Sequence, residues 1–263
     1  MPAVPHMPLD AYMAAMGGDI YSAMQYRFRF FVSASILFLI NNLNLANALF
    51  LSSLLVGLPG LAIVQMGMAD LSTISRKQAY LTSGLAIILI GSLALGLGLG
   101  MGGPGGMSHY VELGNWLGEI FVALVLTILG IGLLLAFSIL RRKSGLKETE
   151  VVRQLMPVTN QEKLFFSGLS VCAGLGEEIA YRGYAMSTVI MAGGSATLAV
   201  TITSLAFGLT HSYQGVIGIC RTGMFGLMMG FALLYTESLW PLILAHTLID
   251  LVVGLVLAEK LLD

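Results

Sequence analysis

Charged side chains are scarce in this sequence of 263 residues, of which only 10% are Asp, Glu, Lys or Arg. Soluble domains carry about 25% charged residues, whereas 57% of this chain is hydrophobic and its mean hydropathy is +0.88. This balance excludes an ordinary soluble domain and indicates a polytopic membrane protein. The formal net charge is only −1, so no nucleic-acid partner is expected.

Cysteine is nearly absent as well. The two cysteines, Cys172 and Cys220, lie in apolar segments and lack the spacing of metal ligands. This excludes a disulfide framework and a zinc-thiolate site. We expect both to be small buried apolar side chains, and we expect no cofactor and no metal.

The first 27 residues lack the basic start, apolar run and small-residue cleavage site of a signal peptide. They are expected to form a mobile or surface-lying N-terminal arm. The rest of the chain contains about eight apolar runs long enough to suggest membrane spans. These runs cover residues 28–45, 48–67, 81–101, 117–140, 164–191, 197–211, 216–235 and 239–257.

The predicted fold is therefore an all-α, polytopic transmembrane helix bundle. Residues 28–140 would hold four N-terminal spans, residues 141–163 a cytoplasmic loop, residues 164–257 a four-span core and residues 258–263 a tail. Basic residues cluster at 27–29, 76–77 and 141–143, each separated from the next by an even number of crossings. The positive-inside rule then places both termini in the cytoplasm, and we expect a multi-pass protein of the inner (plasma) membrane.

Two glutamates and an arginine interrupt one of these apolar runs, in the segment GEEIAYRG at 176–183. Each ionised side chain near the bilayer centre costs about 2.5–3.5 kcal/mol. Glu178 and Arg182 are four residues apart on one helical face and are predicted to pair. At 100° per residue, Glu177 points about 140° away from Arg182, so its carboxylate is left for general-base chemistry. The alternative is a buried ion cluster that only fixes helix packing.

Two histidines follow in the same half of the chain. His211 closes the run FGLTH, four residues after Phe207, and His246 lies one helical turn before Asp250 in HTLID. A carboxylate base, a histidine that helps hold a water and a second histidine that donates hydrogen bonds are the groups needed to attack an amide with water.

These three ordered motifs, EExxxR, FxxxH and HxxxD, resemble the CPBP family, which comprises type II CAAX prenyl proteases and bacterial Abi or bacteriocin-processing proteins. The resemblance covers residues 164–257. It implies that Glu177 and His211 activate a water, that Glu178 and Arg182 support the site, and that His246 lies in the oxyanion pocket with Asp250 beside it.

Asp250 departs from the best-understood type II CAAX proteases, which have asparagine at this position. An ionised aspartate would repel a developing oxyanion. Either Asp250 is protonated through burial, or it orients His246 from behind, which is the role we favour from the sequence. His211 and Glu177 must also converge, either because residues 212–218 dip inward or because the helix breaks at Gly174, Gly176 or Gly183.

The leading functional prediction is an intramembrane glutamate-type endopeptidase acting on a membrane-embedded or lipidated peptide or protein. One alternative is a zinc protease using His211, His246 and a glutamate, although HExxH is absent. Another is an inactive CPBP-like scaffold with a partner in a membrane complex, for which the glycine-rich helices are equally suited. A proton or ion transporter is disfavoured, since the sequence has no evident inverted repeats.

Overall fold

The computed structural model describes residues 43–65, 75–101 and 106–258. The chain forms two compact units, Met1–Ala48 and Leu49–Asp263. In the described part of the first unit, the carboxamide oxygen of Asn44 accepts a hydrogen bond of 2.9 Å from the backbone N–H of Asn47, which caps the helix that follows. The predicted N-terminal arm, and all but the end of the predicted span at 28–45, lie outside the described residues.

The described residues are 86% helical and include no strand, which confirms the predicted all-α class. The helices are α1 (Leu45–Gln65), α2 (Arg76–Leu99), α3 (Met107–Tyr110), α4 (Trp116–Lys143), α5 (Glu150–Leu155), α6 (Asn160–Glu177), α7 (Ser187–Met191), α8 (Ala196–Thr210), α9 (Gly215–Thr236) and α10 (Trp240–Val252). Wider π-helical turns interrupt α1 at Ser53–Gly57, join α6 to α7 over Glu178–Met186 and extend α10 over Val253–Leu257.

Five helical stretches within the described ranges are long and apolar enough to cross a membrane. They are Leu45–Gln65, Arg76–Leu99, Trp116–Lys143, Ser212–Thr236 and Trp240–Leu257. The chain is an integral membrane protein. The predicted span at 164–191 forms a continuous helical run but is not among these five, and α8, with 15 residues, is a shorter apolar helix. The count of eight spans and the cytoplasmic termini therefore stay predictions.

The polar stretch between α4 and α6 is more helical than predicted. α4 continues to Lys143, α5 lies inside the stretch, and α6 begins at Asn160, before the expected start of the next span. The start of α6 is a capping box in which Thr159 and Glu162 satisfy each other's backbone N–H groups. Backbone hydrogen bonds from Thr159 and Val158 hold the pKa of Glu162 at about 2, well below its ordinary value.

Small residues let the helices around α6 approach closely. A Cβ added at Gly91 of α2 would lie 2.7 Å from the Cα of Gly176 on α6, and one added at Gly174 would lie 2.8 Å from the carbonyl oxygen of Ile243 on α10. Close helix contact through small residues is a general means of packing helices in membranes. α6 is thereby fixed between α2 and α10.

The same packing holds α8 against α9. A Cβ at Gly208 would lie 2.7 Å from the carbonyl oxygen of Ile219, and one at Gly226 would lie 3.0 Å from the side chain of Ser204.

The cysteines are less buried than predicted: Cys172 is half-buried and Cys220 is exposed. The burial prediction was wrong because an apolar side chain on a membrane helix can face lipid as well as protein.

Candidate active site

The predicted ion pair forms at the junction between α6 and the π-helical segment. The guanidinium Nη1 of Arg182 donates a hydrogen bond of 2.9 Å to Oε1 of Glu178. Both side chains are fully buried, at 1% and 0% exposure. A buried pair of this kind is costly to break, since either partner alone would be an uncompensated charge.

Glu177 is the more accessible of the two glutamates, with 16% of its side chain exposed. The predicted difference between these two neighbours is observed, because Glu178 is buried in the ion pair and Glu177 is not. Beyond Glu177, the helical-wheel spacing no longer applies. The α-helix ends at Glu177 and the wider π-helical turn begins at Glu178, so the step of 100° does not continue. Tyr181 packs edge-on against Phe207, whereas Tyr184 packs against Phe50.

His246 is held between carboxylates. Its Nδ1–H donates a hydrogen bond of 2.7 Å to Oε1 of Glu178. On the other edge of the ring, Nε2 lies 3.8 Å from Oε2 of Glu177 and 3.8 Å from Oδ2 of Asp250. Glu178 therefore fixes the orientation of the ring, and Nε2 is the nitrogen that faces the accessible glutamate.

This geometry corrects the sequence-based role of Asp250. Asp250 does not hold His246 from behind, since it lies on the Nε2 side and beyond hydrogen-bonding distance. One turn of α10 places its carboxylate beside the ring, but the hydrogen bond that Nδ1–H donates is accepted by buried Glu178 on the facing helical segment. The orienting function belongs to Glu178.

His211 ends α8 and is turned back toward that helix. Its Nδ1–H donates a hydrogen bond of 2.9 Å to the carbonyl oxygen of Phe207. A carbonyl can only accept, so Nδ1 carries the proton and the Nε2 of neutral His211 is an acceptor. A short 3₁₀ turn at Ser212–Gln214 follows, and Gly215 with a φ of 76° starts α9. Gly174 and Gly176 stay α-helical, so the helix does not break there.

Phe207 connects the two histidines and the ion pair. Its buried ring lies 4.8 Å from the ring of His211 and 6.3 Å from that of His246, measured between centroids. The guanidinium carbon of Arg182 lies 4.4 Å above the same ring, a cation–π contact. The structure thus brings the three sequence motifs, which lie on three helices, around one aromatic side chain.

Sequence reasoning missed some residues of this site. Phe225 of α9 packs 5.1 Å from the ring of His246, and Tyr213 lies 5.9 Å from the ring of His211. Nothing in the sequence marks Phe225 among many apolar residues. Tyr213 is 37% exposed and lies within electrostatic range of Glu177 and Asp250, so it stands at the accessible side of the site.

Part of the chain matches a known family. The family model "Type II CAAX prenyl endopeptidase Rce1-like" matches residues 159–252, the segment that holds all three motifs. Residues 159–252 are similar to this family. This confirms the resemblance predicted from the motifs, and the Rce1-like family is a family of CAAX proteases, which are hydrolases. No curated protein sequence and no solved structure matches the chain.

Proposed function

We propose that this protein is an intramembrane glutamate-type endopeptidase that hydrolyses a peptide bond in a membrane-associated or lipidated substrate, with Glu177 as the general base. The proposal places it in the inner (plasma) membrane. The observation that carries it is the accessible carboxylate of Glu177 beside Nε2 of His246, whose other nitrogen is fixed by buried Glu178. The match of this segment to a CAAX protease family supports the same reaction.

In the proposed reaction, Glu177 takes a proton from a water while Nε2 of His211 accepts the water's other hydrogen bond. The water oxygen bonds to the carbonyl carbon, and the carbonyl oxygen becomes an oxyanion. With a proton on Nε2, His246 donates a hydrogen bond to that oxyanion. The carbon–nitrogen bond then breaks, and Glu177 returns its proton to the leaving amine.

The decisive test is Glu177→Gln, which keeps the shape of the side chain and removes the base. Cleavage of a farnesylated peptide by purified protein should fall by about 10²–10⁴-fold, the usual contribution of a general base. In cells, substrates identified by proteome-wide comparison of membrane peptides should accumulate uncleaved. Glu119→Gln, in the first turn of α4 and outside the site, is the matched control and should cleave as the wild type does. A Glu177→Gln rate above a tenth of the wild-type rate would contradict the proposal.

A catalytically inactive scaffold is the second candidate, and Asp250 favours it. Its carboxylate lies on the Nε2 side of His246, where negative charge opposes an oxyanion. If this candidate is right, the wild type cleaves no peptide, and Glu177→Gln leaves the partner complex intact.

A zinc protease is tested separately. Among the residues that the structure describes, no three His, Cys, Asp or Glu side chains are grouped to hold a metal. Stoichiometric zinc in the purified protein, together with inhibition by 1,10-phenanthroline, is the result that would favour zinc over a water activated by Glu177 and His211 without a metal.

A further inference from the structure

A cationic cavity lies at the C-terminal end of α4, away from the candidate active site. Its volume is about 540 Å³, and its lining includes four basic side chains, of which Arg141 is paired with Glu148, and the carboxylate of Glu150. The basic residues are Arg141, Arg142, Lys147 and Arg153. The volume falls within the range of sites for small molecules, about 300–1,000 Å³, and the charge favours an anion.

The length of α4 places this cavity at the membrane surface. The helix runs from Trp116 to Lys143 and, at 1.5 Å per residue, is about 42 Å long. The hydrocarbon core is only about 30 Å thick, so the last turn, with its basic residues, reaches the level of the lipid headgroups. An anion held there would be at the depth of a lipid phosphate.

The walls of the cavity are held in place by a polar network. Nε of Arg141 lies 3.3 Å from Oε2 of Glu148, and both side chains are buried. The other oxygen of Glu148 lies 3.8 Å from Nη2 of Arg221 on α9. This fixes the loop between α4 and α5, so the basic side chain of Lys147 is presented by anchored backbone, and Arg153 follows on α5.

We propose that this cavity binds the phosphate of an anionic membrane lipid. Arginine guanidinium groups match phosphate oxygens with paired hydrogen bonds, and basic pockets beside membrane helices bind anionic headgroups. A single headgroup fits the cavity, and the lipid's acyl chains can lie along the exposed apolar surface of α4, which includes Leu135 and Ile139.

The test is lipid binding by the full-length protein in a neutral detergent, followed by native mass spectrometry. Phosphatidylglycerol should bind at least tenfold more tightly than phosphatidylcholine with the same acyl chains. Lys147→Gln and Arg153→Gln, which each remove one positive charge from the lining of the cavity, should each weaken phosphatidylglycerol binding about fivefold. Lys143→Gln is the matched control: this residue is exposed and does not line the cavity, so binding should change less than twofold.

Competition with inorganic phosphate distinguishes a lipid ligand from a free anion. If millimolar inorganic phosphate displaces phosphatidylglycerol, the cavity recognises phosphate itself, and its ligand is a soluble phosphate rather than a lipid. Binding of phosphatidylglycerol that phosphate does not displace supports the lipid. Equal losses in Lys143→Gln and Lys147→Gln would mean diffuse surface charge and would overturn the proposal, as would equal binding of the two lipids. Unchanged thermal midpoints of the variants exclude misfolding as the cause.

Discussion

His246 has carboxylates on both edges of its imidazole ring, and their distances differ. The contact from Glu178 is a short hydrogen bond of 2.7 Å, whereas Glu177 and Asp250 are both 3.8 Å away. Only Glu178 can therefore set the ring's orientation. Asp250 is left beside the ring, with no hydrogen bond to it.

Asp250→Asn should keep cleavage within about threefold of wild type, because no orienting bond is lost. Glu178→Gln should reduce kcat at least tenfold with KM nearly unchanged, since a hydrogen bond to a charged group is worth about 1.5–3 kcal/mol and a neutral one about 0.5–1.5 kcal/mol. Steady-state kinetics on the same peptide, normalised to folded protein, give the comparison. A larger loss for Asp250→Asn than for Glu178→Gln would restore the orienting role to Asp250.

Arg182→Ala should lower the free energy of unfolding by about 3–5 kcal/mol, because buried Glu178 would lose the guanidinium that compensates its charge and would keep only its hydrogen bond from His246. Replacing both residues by leucine should recover most of that stability without restoring activity, since a buried ion pair can often be exchanged for apolar side chains. Thermal or denaturant unfolding in detergent measures both effects.

The control for this experiment is an exposed contact between a histidine and a glutamate on the same chain. Nε2 of His109 lies 3.3 Å from Oε2 of Glu237, and both side chains are about half exposed or more. His109→Ala should cost no more than about 1 kcal/mol. Equal stability of Arg182→Ala and wild type would show that the Glu178–Arg182 pair is solvated.

At the level of helices, the position of α10 depends on a glycine in α6. A side chain at Gly174 would meet the backbone of α10, with 2.8 Å to the carbonyl oxygen of Ile243 and 2.9 Å to the N–H nitrogen of Thr247. Gly174→Ala should therefore displace α10 and its His246, with a loss of about 1–3 kcal/mol and a marked fall in cleavage.

Gly168→Ala is the matched control for this prediction, because it lies on the same helix and an added Cβ has no atom within 4 Å. It should be neutral or more stable by about 0.5–1 kcal/mol, the ordinary gain of alanine over glycine in a helix. Unfolding and cleavage are measured for both variants. The same effect from both would refute a close contact between α6 and α10.

The spacing of residues along the sequence predicted the helices and the contacts within one helical turn. It could not predict contacts between residues far apart in the chain. The spacing of Glu178 and Arg182 predicted their ion pair because both lie on one helical turn. The bond from Glu178 to His246 joins residues 68 positions apart, and no periodicity reports such a contact. The π-helical turn at Glu178–Met186 was also missed, because its residues are compatible with an α-helix and its altered pitch is set by packing.

For the whole molecule, the positive-inside rule predicts that both termini face the cytoplasm. Fluorescent-protein fusions at either end should fluoresce, and alkaline phosphatase fusions at the same ends should be inactive. A fusion after residue 112, between α3 and α4, should give the opposite pattern and serves as the control. An active phosphatase at either terminus would contradict the predicted orientation.

A charged residue in an apolar run, Arg221, is a further sequence signal for a tertiary contact. Arg221 lies in an apolar run, the same kind of exception that singled out Glu177, Glu178 and Arg182. It contacts Glu148 from the loop after α4, and its Nη2 donates a hydrogen bond of 2.8 Å to Gln214. The cost of a charge in an apolar segment thus indicates a partner, although it cannot say which element supplies it.

The glycine contacts of α6 also determine the route by which a peptide can arrive. Against α2 and α10 the backbones nearly touch at Gly176 and Gly174, so neither seam has room for a passing chain. Accessibility instead rises from the sealed Glu178 to Glu177 and then to Asp250 and Tyr213, which are 36% and 37% exposed. In the proposed reaction, a peptide would therefore reach Glu177 from the side of Asp250 and Tyr213 rather than between α6 and these two neighbouring helices.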